Sequence, residues 1–411
     1  MQLYHAFIII VVLAALFSYI NYRYIKLPNE IGIMVLSIVT SLVIIIAGYF
    51  KPSTFGQITT VIRRLDFSSL LMNFMLSFLL FAGAIHIDAK NLRKYRLAIF
   101  TFSTIGVLIS TLIIGGLLFA CCLVLGIKIS FIYCLLFGSI VSPTDPIAIL
   151  SILKKAGIPA SLEIKITGES LFNDGVAVVV FITIYYVIEG GIDNLSGWSV
   201  MRLFMQQAGG GVLWGALLGY CGFLLMRSID YYKVEVMITL AIVMGGYLVA
   251  DLLHVSAPLA MVVAGIITGN KSRNLVMSTV TRDYIDKFWE IIDELLNAIL
   301  FILIGFEMLI ISFNPMLLLL GIISVGIVLL ARYISVLIPI SILRFKTSFE
   351  KNTITLLTWG GLRGGLSVAL ALSLPSRMHG ELFVSITYIV VLFSIIVQGL
   401  TIGRVAKKLS A

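Results

Sequence analysis

The sequence predicts an all-α polytopic membrane protein with 13 transmembrane helices, and three observations lead to this fold class. First, 60% of the 411 residues are hydrophobic and only 12% are charged, whereas soluble domains have roughly 45–50% apolar and about 25% charged residues. Second, the mean hydropathy is +1.10. Third, the apolar residues form runs of about 20 residues, which is the length that crosses a bilayer. Together these observations exclude a nucleic-acid-binding domain, a secreted disulfide scaffold and a soluble enzyme.

The 13 predicted spans are separated by charged residues or by glycine and proline. They cover residues 4–21, 29–50, 67–88, 97–126, 130–152, 162–188, 203–226, 233–253, 256–270, 288–312, 316–343, 353–375 and 381–403. The ninth span is short, and its separation from the eighth depends on His254, Ser256 and Pro258. The segment 53–66 is polar enough to lie at the membrane interface instead of crossing it.

The distribution of basic residues predicts the orientation of these spans. With the N-terminus outside and the C-terminus inside, the inner connections and the C-terminal tail carry 21 Lys and Arg residues, and the outer connections carry 6. Such an excess is typical of cytoplasmic loops. The orientation of the spans thus accounts for the net charge of +9. A basic protein can bind nucleic acid, but no such partner is needed to explain this charge, and none is expected.

The odd number of spans predicts two inverted repeats of six helices within a single transporter domain over residues 1–411. Repeat one covers about 4–188, a linker span covers about 203–226 and repeat two covers about 233–403. Secondary transporters with this plan have broken helices at equivalent positions of the repeats. The fifth span of each repeat contains a strong helix-breaking cluster, Ser142–Pro146 in one and Gly360–Gly365 in the other. Two unrelated helix kinks are the alternative interpretation.

Ionisable residues inside the spans are candidates for function, because each costs at least about 2.5–3.5 kcal/mol near the bilayer centre. Asp145 lies near the middle of span 5 and Asp174 near the middle of span 6, with Ser170 one helical turn from Asp174. Carboxylate, hydroxyl and proline-freed carbonyl oxygens are ligands that suit a hard cation. An Asp in this position can hold a cation or a proton, but not comfortably both. The alternative is a carboxylate that only satisfies helix packing.

The other charged residues inside the spans have different predicted roles. Glu169 and Arg332 each lie mid-span, and a buried pair is tolerable where a single buried charge is not. We therefore expect an ion pair that joins span 6 to span 11, with direct ligation of an ion by these residues as the alternative. Arg363 is expected to donate hydrogen bonds to carbonyls freed at the broken helices, although a role facing the substrate is also open.

An acidic segment precedes span 10. Asp286, Glu290, Asp293 and Glu294 recur at helical spacing. They are interpreted either as an inner vestibule that attracts cations or as a solvated helix face.

Four motifs together resemble the sodium/proton exchangers of the monovalent cation/proton antiporter superfamily, in their prokaryotic form with an Asn-Asp motif. The motifs are Ser142–Pro146, Gly168–Gly175, Ala331–Arg332 and Trp359–Gly365. They match in order and spacing along the whole chain, and the Asn-Asp pair with its preceding Glu-Ser is the most specific of them.

The resemblance implies roles for the site residues. Asp174 would exchange a cation for a proton, and Asp145, Ser170 and the Thr144 backbone carbonyl would help to bind the cation. Asn173 would organise the site, and Asn at this position implies electroneutral exchange. By the same pattern, Glu169 and Arg332 would form the stabilising ion pair of the family.

The resemblance also implies a homodimer whose mobile core domain includes spans 5, 6 and 12 and holds the crossed broken helices. The expected function is exchange of Na⁺, or of Li⁺ or K⁺, for H⁺ by alternating access, with a role in pH homeostasis. A K⁺/H⁺ antiporter and a cation channel or sensor on the same scaffold are the alternatives. No cofactor is expected, and the expected location is the bacterial cytoplasmic membrane.

Two departures from the family pattern affect these expectations. Some relatives carry a further acid in span 3, but the segment Phe81–His86 has none, so a fourth side-chain ligand is in doubt. Animal relatives carry a long regulatory tail, whereas this sequence stops just after Lys407 and Lys408, so control through a tail is not expected.

Overall fold

The structure is a computed structural model that describes residues 2–52, 55–56, 59–60, 67–145, 150, 152–154, 156–191, 197–272, 278–311, 314–345, 349–350 and 352–410. Every regular element within these residues is a helix, which confirms the all-α class. The predicted interfacial segment 53–66 and residue Pro146 of the first helix-breaking cluster fall largely or wholly outside the described residues.

The helices of the first half follow the apolar runs of the sequence closely. They are α1 (Gln2–Ile20), α2 (Asn29–Phe50), α3 (Phe67–Leu70), α4 (Leu76–Ile85), α5 (Ala89–Lys94), α6 (Arg96–Ser103), α7 (Ile105–Val124), α8 (Phe131–Ile140) and α9 (Ala160–Glu189). Single π-helical turns at Asn21–Ile25 and Leu71–Met75 continue α1 and join α3 to α4.

The helices of the second half begin with the predicted linker span. They are α10 (Gly197–Arg227), α11 (Tyr232–Leu252), α12 (Ala257–Ile267), α13 (Thr279–Glu307), α14 (Pro315–Leu343), α15 (Thr353–Trp359), α16 (Gly365–Leu372), α17 (Gly380–Phe393) and α18 (Gly399–Ser410). Ser256 caps α12 and Ser278 caps α13, because each side chain accepts a hydrogen bond from the backbone of the first turn.

Eight helices of the described residues are long and apolar enough to cross a membrane. They are Phe7–Ile25, Asn29–Phe50, Arg96–Val124, Ala160–Glu189, Gly197–Arg227, Tyr232–Leu252, Pro315–Leu343 and Gly380–Leu409. The remaining predicted spans coincide with shorter apolar helices such as α4, α8 and α12, with the broken span 12, or with α13, whose first half is charged.

Two of the predicted spans are interrupted at the predicted helix-breaking clusters. Helix α8 ends at Ile140, and residues 142–145 are not helical. Helix α15 ends at Trp359, and α16 begins only at Gly365. The two interruptions touch each other, because the backbone N–H of Asp145 donates a hydrogen bond to the carbonyl oxygen of Leu362 at 2.8 Å. This bond satisfies one backbone donor and one backbone acceptor of the interruptions within the protein, as membrane depth requires.

The helices around these interruptions form two sets of neighbours. Helix α9 packs mainly against α6 and α8, and α14 packs mainly against α7 and α17. Helix α13, by contrast, packs mainly against α2, α4, α11 and α1. The main neighbours of α9 and α13 therefore differ, while α12, which contacts α9, and α4, which contacts α13, pack against each other and connect the two sets.

Candidate functional site

A cavity of about 520 Å³ lies beside the two helix interruptions. Asp145, Asp174, Ser170 and Thr144 all line it. At one end the lining includes His86, Lys154 and Glu290, whose side chains are exposed. The cavity therefore leads from that surface of the bundle to the two aspartates.

Thr144 is held by a network of hydrogen bonds from α9. The Asn173 side chain donates from Nδ2 to Thr144 Oγ1 at 2.6 Å and accepts from the Thr144 backbone N–H at 3.2 Å. Ser170 Oγ donates to the Thr144 carbonyl oxygen and lies 3.1 Å from its hydroxyl. Asn173 does not line the cavity, so it fixes the unwound backbone from behind while Ser170 faces the cavity.

Glu169 and Arg332 form a buried ion pair with two contacts between the guanidinium and the carboxylate. Arg332 Nη1 donates to Glu169 Oε1, and Nη2 donates to Oε2 at 3.0 Å. The exposed fractions are 2% for Glu169 and 7% for Arg332. Arg332 Nε also donates to the Leu357 carbonyl oxygen in α15 at 3.2 Å. The pair thereby connects α9, α14 and the first part of the second broken helix.

Arg363 belongs to the second interruption and is 2% exposed. Its Nη1 donates to the carbonyl oxygens of Ser142 and of Pro143, the latter at 2.8 Å. Its backbone N–H donates to Ser394 Oγ at 2.8 Å. Asp145 and Arg363 are the charged neighbours that act most strongly on Asp174. One positive charge therefore lies beside the carboxylates of Asp145 and Asp174.

Part of the predicted acidic segment also lines the cavity, on the side opposite Asp174. Glu290 and Asp293 line it, as does Asn297, which the sequence analysis missed. Asp286 instead lies 3.6 Å from His86 Nδ1, and Glu294 accepts a hydrogen bond from Asn29. Helical spacing could have placed Asn297 at this wall, because positions 290, 293 and 297 share one face of a helix.

Comparisons with known proteins show the family of the chain. A family model described as "Sodium/hydrogen exchanger, transmembrane" matches residues 10–408. The chain belongs to the sodium/hydrogen exchanger family. It is 49% identical over 407 residues to the Na⁺/H⁺ antiporter NhaP of Pseudomonas aeruginosa, covering 98% of this chain and 96% of that protein. It is 35% identical over 349 residues to the Na⁺/H⁺ antiporter NhaH of Halobacillus aidingensis, covering 84% of each.

A solved structure supports the same fold for this member of the exchanger family. The sodium proton antiporter MjNhaP1 from Methanocaldococcus jannaschii at pH 8 matches with a TM-score of 0.78 and 21% sequence identity. The match covers 100% of this chain and 99% of that chain. The recognition made from the four sequence motifs is thereby confirmed, and the chain is an integral membrane transporter, not an enzyme.

Gly364 is required by the close approach of the two interruptions, which gives a testable prediction. A Cβ atom at this position would lie 2.5 Å from Asp145 Oδ2. We therefore expect Gly364→Ala to destabilise the protein by about 1–3 kcal/mol, as overpacking does. Thermal unfolding in detergent measures this change.

Gly326 in α14 is the matched control, because a Cβ there meets nothing within 4 Å. Gly326→Ala should leave the melting temperature unchanged or raise it slightly, since Ala favours a helix. Equal effects of the two substitutions would contradict the contact described for Gly364.

Proposed function

We propose that this chain exchanges Na⁺ for H⁺ across the membrane, with Asp174 as the group that carries either ion. One observation carries the proposal: Asp174 and Asp145 line a single cavity with Ser170 and Thr144, inside a bundle of apolar helices. Carboxylate and hydroxyl oxygens are the ligands of a hard cation. The named relatives are Na⁺/H⁺ antiporters, so a channel or sensor function is not favoured.

The charges of the site support exchange of one cation for one proton. When both are ionised, the carboxylates of Asp174 and Asp145 carry two negative charges, and the neighbouring Arg363 carries one positive charge. One Na⁺ or one H⁺ therefore neutralises these three side chains. Asn173 adds no charge, because it is an amide that both donates to and accepts from Thr144. A cluster without a bound ion keeps an uncompensated charge, which makes its passage through the bilayer costly.

The membrane arrangement that fits this function has 13 spans in two inverted repeats, with the N-terminus outside and the C-terminus inside. The excess of Lys and Arg on one set of connections supports this orientation. The cavity then opens to the cytoplasm, since Lys154 and His86 lie at its exposed end. In this proposal the protein is a homodimer in the bacterial cytoplasmic membrane. In each protomer, the core domain that includes spans 5, 6 and 12 moves between two positions.

Purified protein in liposomes with an internal pH dye tests the function. We expect an outward or inward Na⁺ gradient to drive proton flux in the opposite direction, and an imposed membrane potential to leave the flux unchanged. Parallel measurements in Li⁺ and K⁺ give the cation preference, and a flux driven only by K⁺ would make the protein a K⁺/H⁺ antiporter. A net current that follows the potential without proton exchange would contradict the proposal and identify a channel.

A further inference from the structure

The wall of the cavity opposite Asp174 carries a row of polar side chains. Glu290, Asp293 and Asn297 are three and four residues apart, so they lie on one face of α13. They extend over roughly 10 Å of the helix axis at 1.5 Å per residue. Glu290 is exposed and Asn297 is only 3% exposed. The row therefore runs from the open end of the cavity towards the depth of the aspartates.

Two atoms of this row are buried without a hydrogen-bond partner among the described residues. They are Asp293 Oδ1 and Asn297 Nδ2; the Asn297 amide is the polar group that acts on the Asp293 carboxylate, but the two do not form a well-aligned hydrogen bond. Buried polar atoms are nearly always bonded in native proteins, so two such atoms on one cavity wall indicate that something polar occupies the space beside them. A carboxylate presents oxygen only, and a carboxamide presents one oxygen and one nitrogen that are nearly identical in shape. Both side chains can therefore supply an oxygen ligand.

The charges around Asp293 favour a cation as that occupant. Its charged neighbours are Asp145, Glu30 and Glu294, all of which are acidic. Lys154 also lines the cavity, but its ammonium is paired with Glu163 at 2.9 Å. Close like charges repel each other, and a cation between them removes the repulsion.

We propose that Asp293 and Asn297 form a second binding position for the transported alkali cation, which the ion occupies before it reaches Asp174 and Asp145. This inference rests on the proposed cation/proton exchange. Helix α13 packs against α2, α4, α11 and α1, whereas Asp174 belongs to α9, which packs against α6, α8, α10 and α12. The second position is thus carried by a helix whose neighbours differ from those of α9, and it serves the ion only on the side to which the cavity opens.

Asp293→Asn tests the second position, because it keeps the shape of the side chain and removes its charge. In liposomes with oriented protein, we expect the KM for Na⁺ on the cavity side to rise about tenfold, which corresponds to about 1.4 kcal/mol of lost binding free energy. The KM on the opposite side should stay within about twofold of the unmodified protein. The kcat for transport from the cavity side should rise together with its KM, because kcat/KM has to remain equal in the two directions when no gradient exists.

Asp283→Asn is the matched control, since it removes the same charge from the same helix. Asp283 is exposed, is paired with Lys287 at 2.7 Å and does not line this cavity. We expect it to leave both KM values unchanged in high salt, where attraction by surface charge is screened. If Asp293→Asn resembles Asp283→Asn, or if it raises KM equally on both sides, the second position is excluded.

A binding measurement separates this inference from the exchange function. Asp174→Asn should retain weak binding of radioactive Na⁺, and Asp174→Asn/Asp293→Asn should lose it. The second position would be overturned if both variants bind Na⁺ equally, or if Asp174→Asn alone already binds none. Failure of the exchange function would instead show as an absence of Na⁺-driven proton flux in the unmodified protein.

Discussion

Asp174→Asn should reduce Na⁺-driven proton flux to the level of liposomes without protein, while the protein remains folded. The amide keeps the shape of the side chain but can neither release a proton nor offer a charged oxygen to Na⁺. The charged neighbours of Asp174 are Asp145 and Arg363. In the Asp174→Asn variant their opposite charges cancel, so the three side chains are neutral without a bound ion. The pH-dye assay in liposomes measures the flux, and thermal unfolding checks the fold.

Asp283→Asn is the control for this substitution. Asp283 is exposed on α13, and its carboxylate lies 2.7 Å from Lys287 Nζ. It does not line the cavity, so its loss should leave the flux unchanged. Normal flux in Asp174→Asn, with proton release matched to Na⁺ uptake, would refute the assignment of Asp174.

Glu169→Gln should lower the free energy of unfolding by about 3–5 kcal/mol, because it leaves the charge of Arg332 buried without its partner. Both side chains are at least nine-tenths buried, and two guanidinium nitrogens donate to the carboxylate. The remaining hydrogen bond from Arg332 to the Leu357 carbonyl oxygen does not neutralise the charge. Thermal or denaturant unfolding in detergent measures the loss.

A double substitution and a surface pair control this second experiment. Glu169→Met/Arg332→Met should be more stable than Glu169→Gln, since apolar residues can replace a buried pair at little cost. Glu189→Gln removes the partner of Arg377 from an exposed pair, so its effect should stay within about 1 kcal/mol. If Glu169→Gln costs no more than Glu189→Gln, the pair does not hold α9 to α14.

The sequence was sufficient to predict the helical class, the two helix interruptions and the family. Apolar runs give a strong signal because every backbone polar group at membrane depth must be bonded within the protein. Pro143 lies just after the end of α8 and Gly364 just before the start of α16, so both mark an interruption. The number of spans is harder to obtain from the sequence, since α8, α15 and α16 are too short to cross a membrane alone.

The candidate site was predictable only where residues are close along the chain. Ser170, Asn173 and Asp174 are neighbours on α9, so their common location follows from helical spacing. The contact between Asp145 and Leu362 joins positions 217 residues apart, and only the folded structure defines it. Asn297 was missed because a single amide in an apolar run has no motif of its own.

The contact between the two helix interruptions also has a consequence for how this gene can change. Asp145 and Leu362 belong to opposite halves of the chain, and Arg363 of the second half donates to Pro143 of the first. Neither half contains all the residues that line the cavity of the candidate site. A chimera that takes one half from a distant relative would combine two surfaces that did not evolve together, so recombination at the linker span should yield inactive proteins. Mutations near either interruption should persist mainly when a compensating mutation arises in the other half.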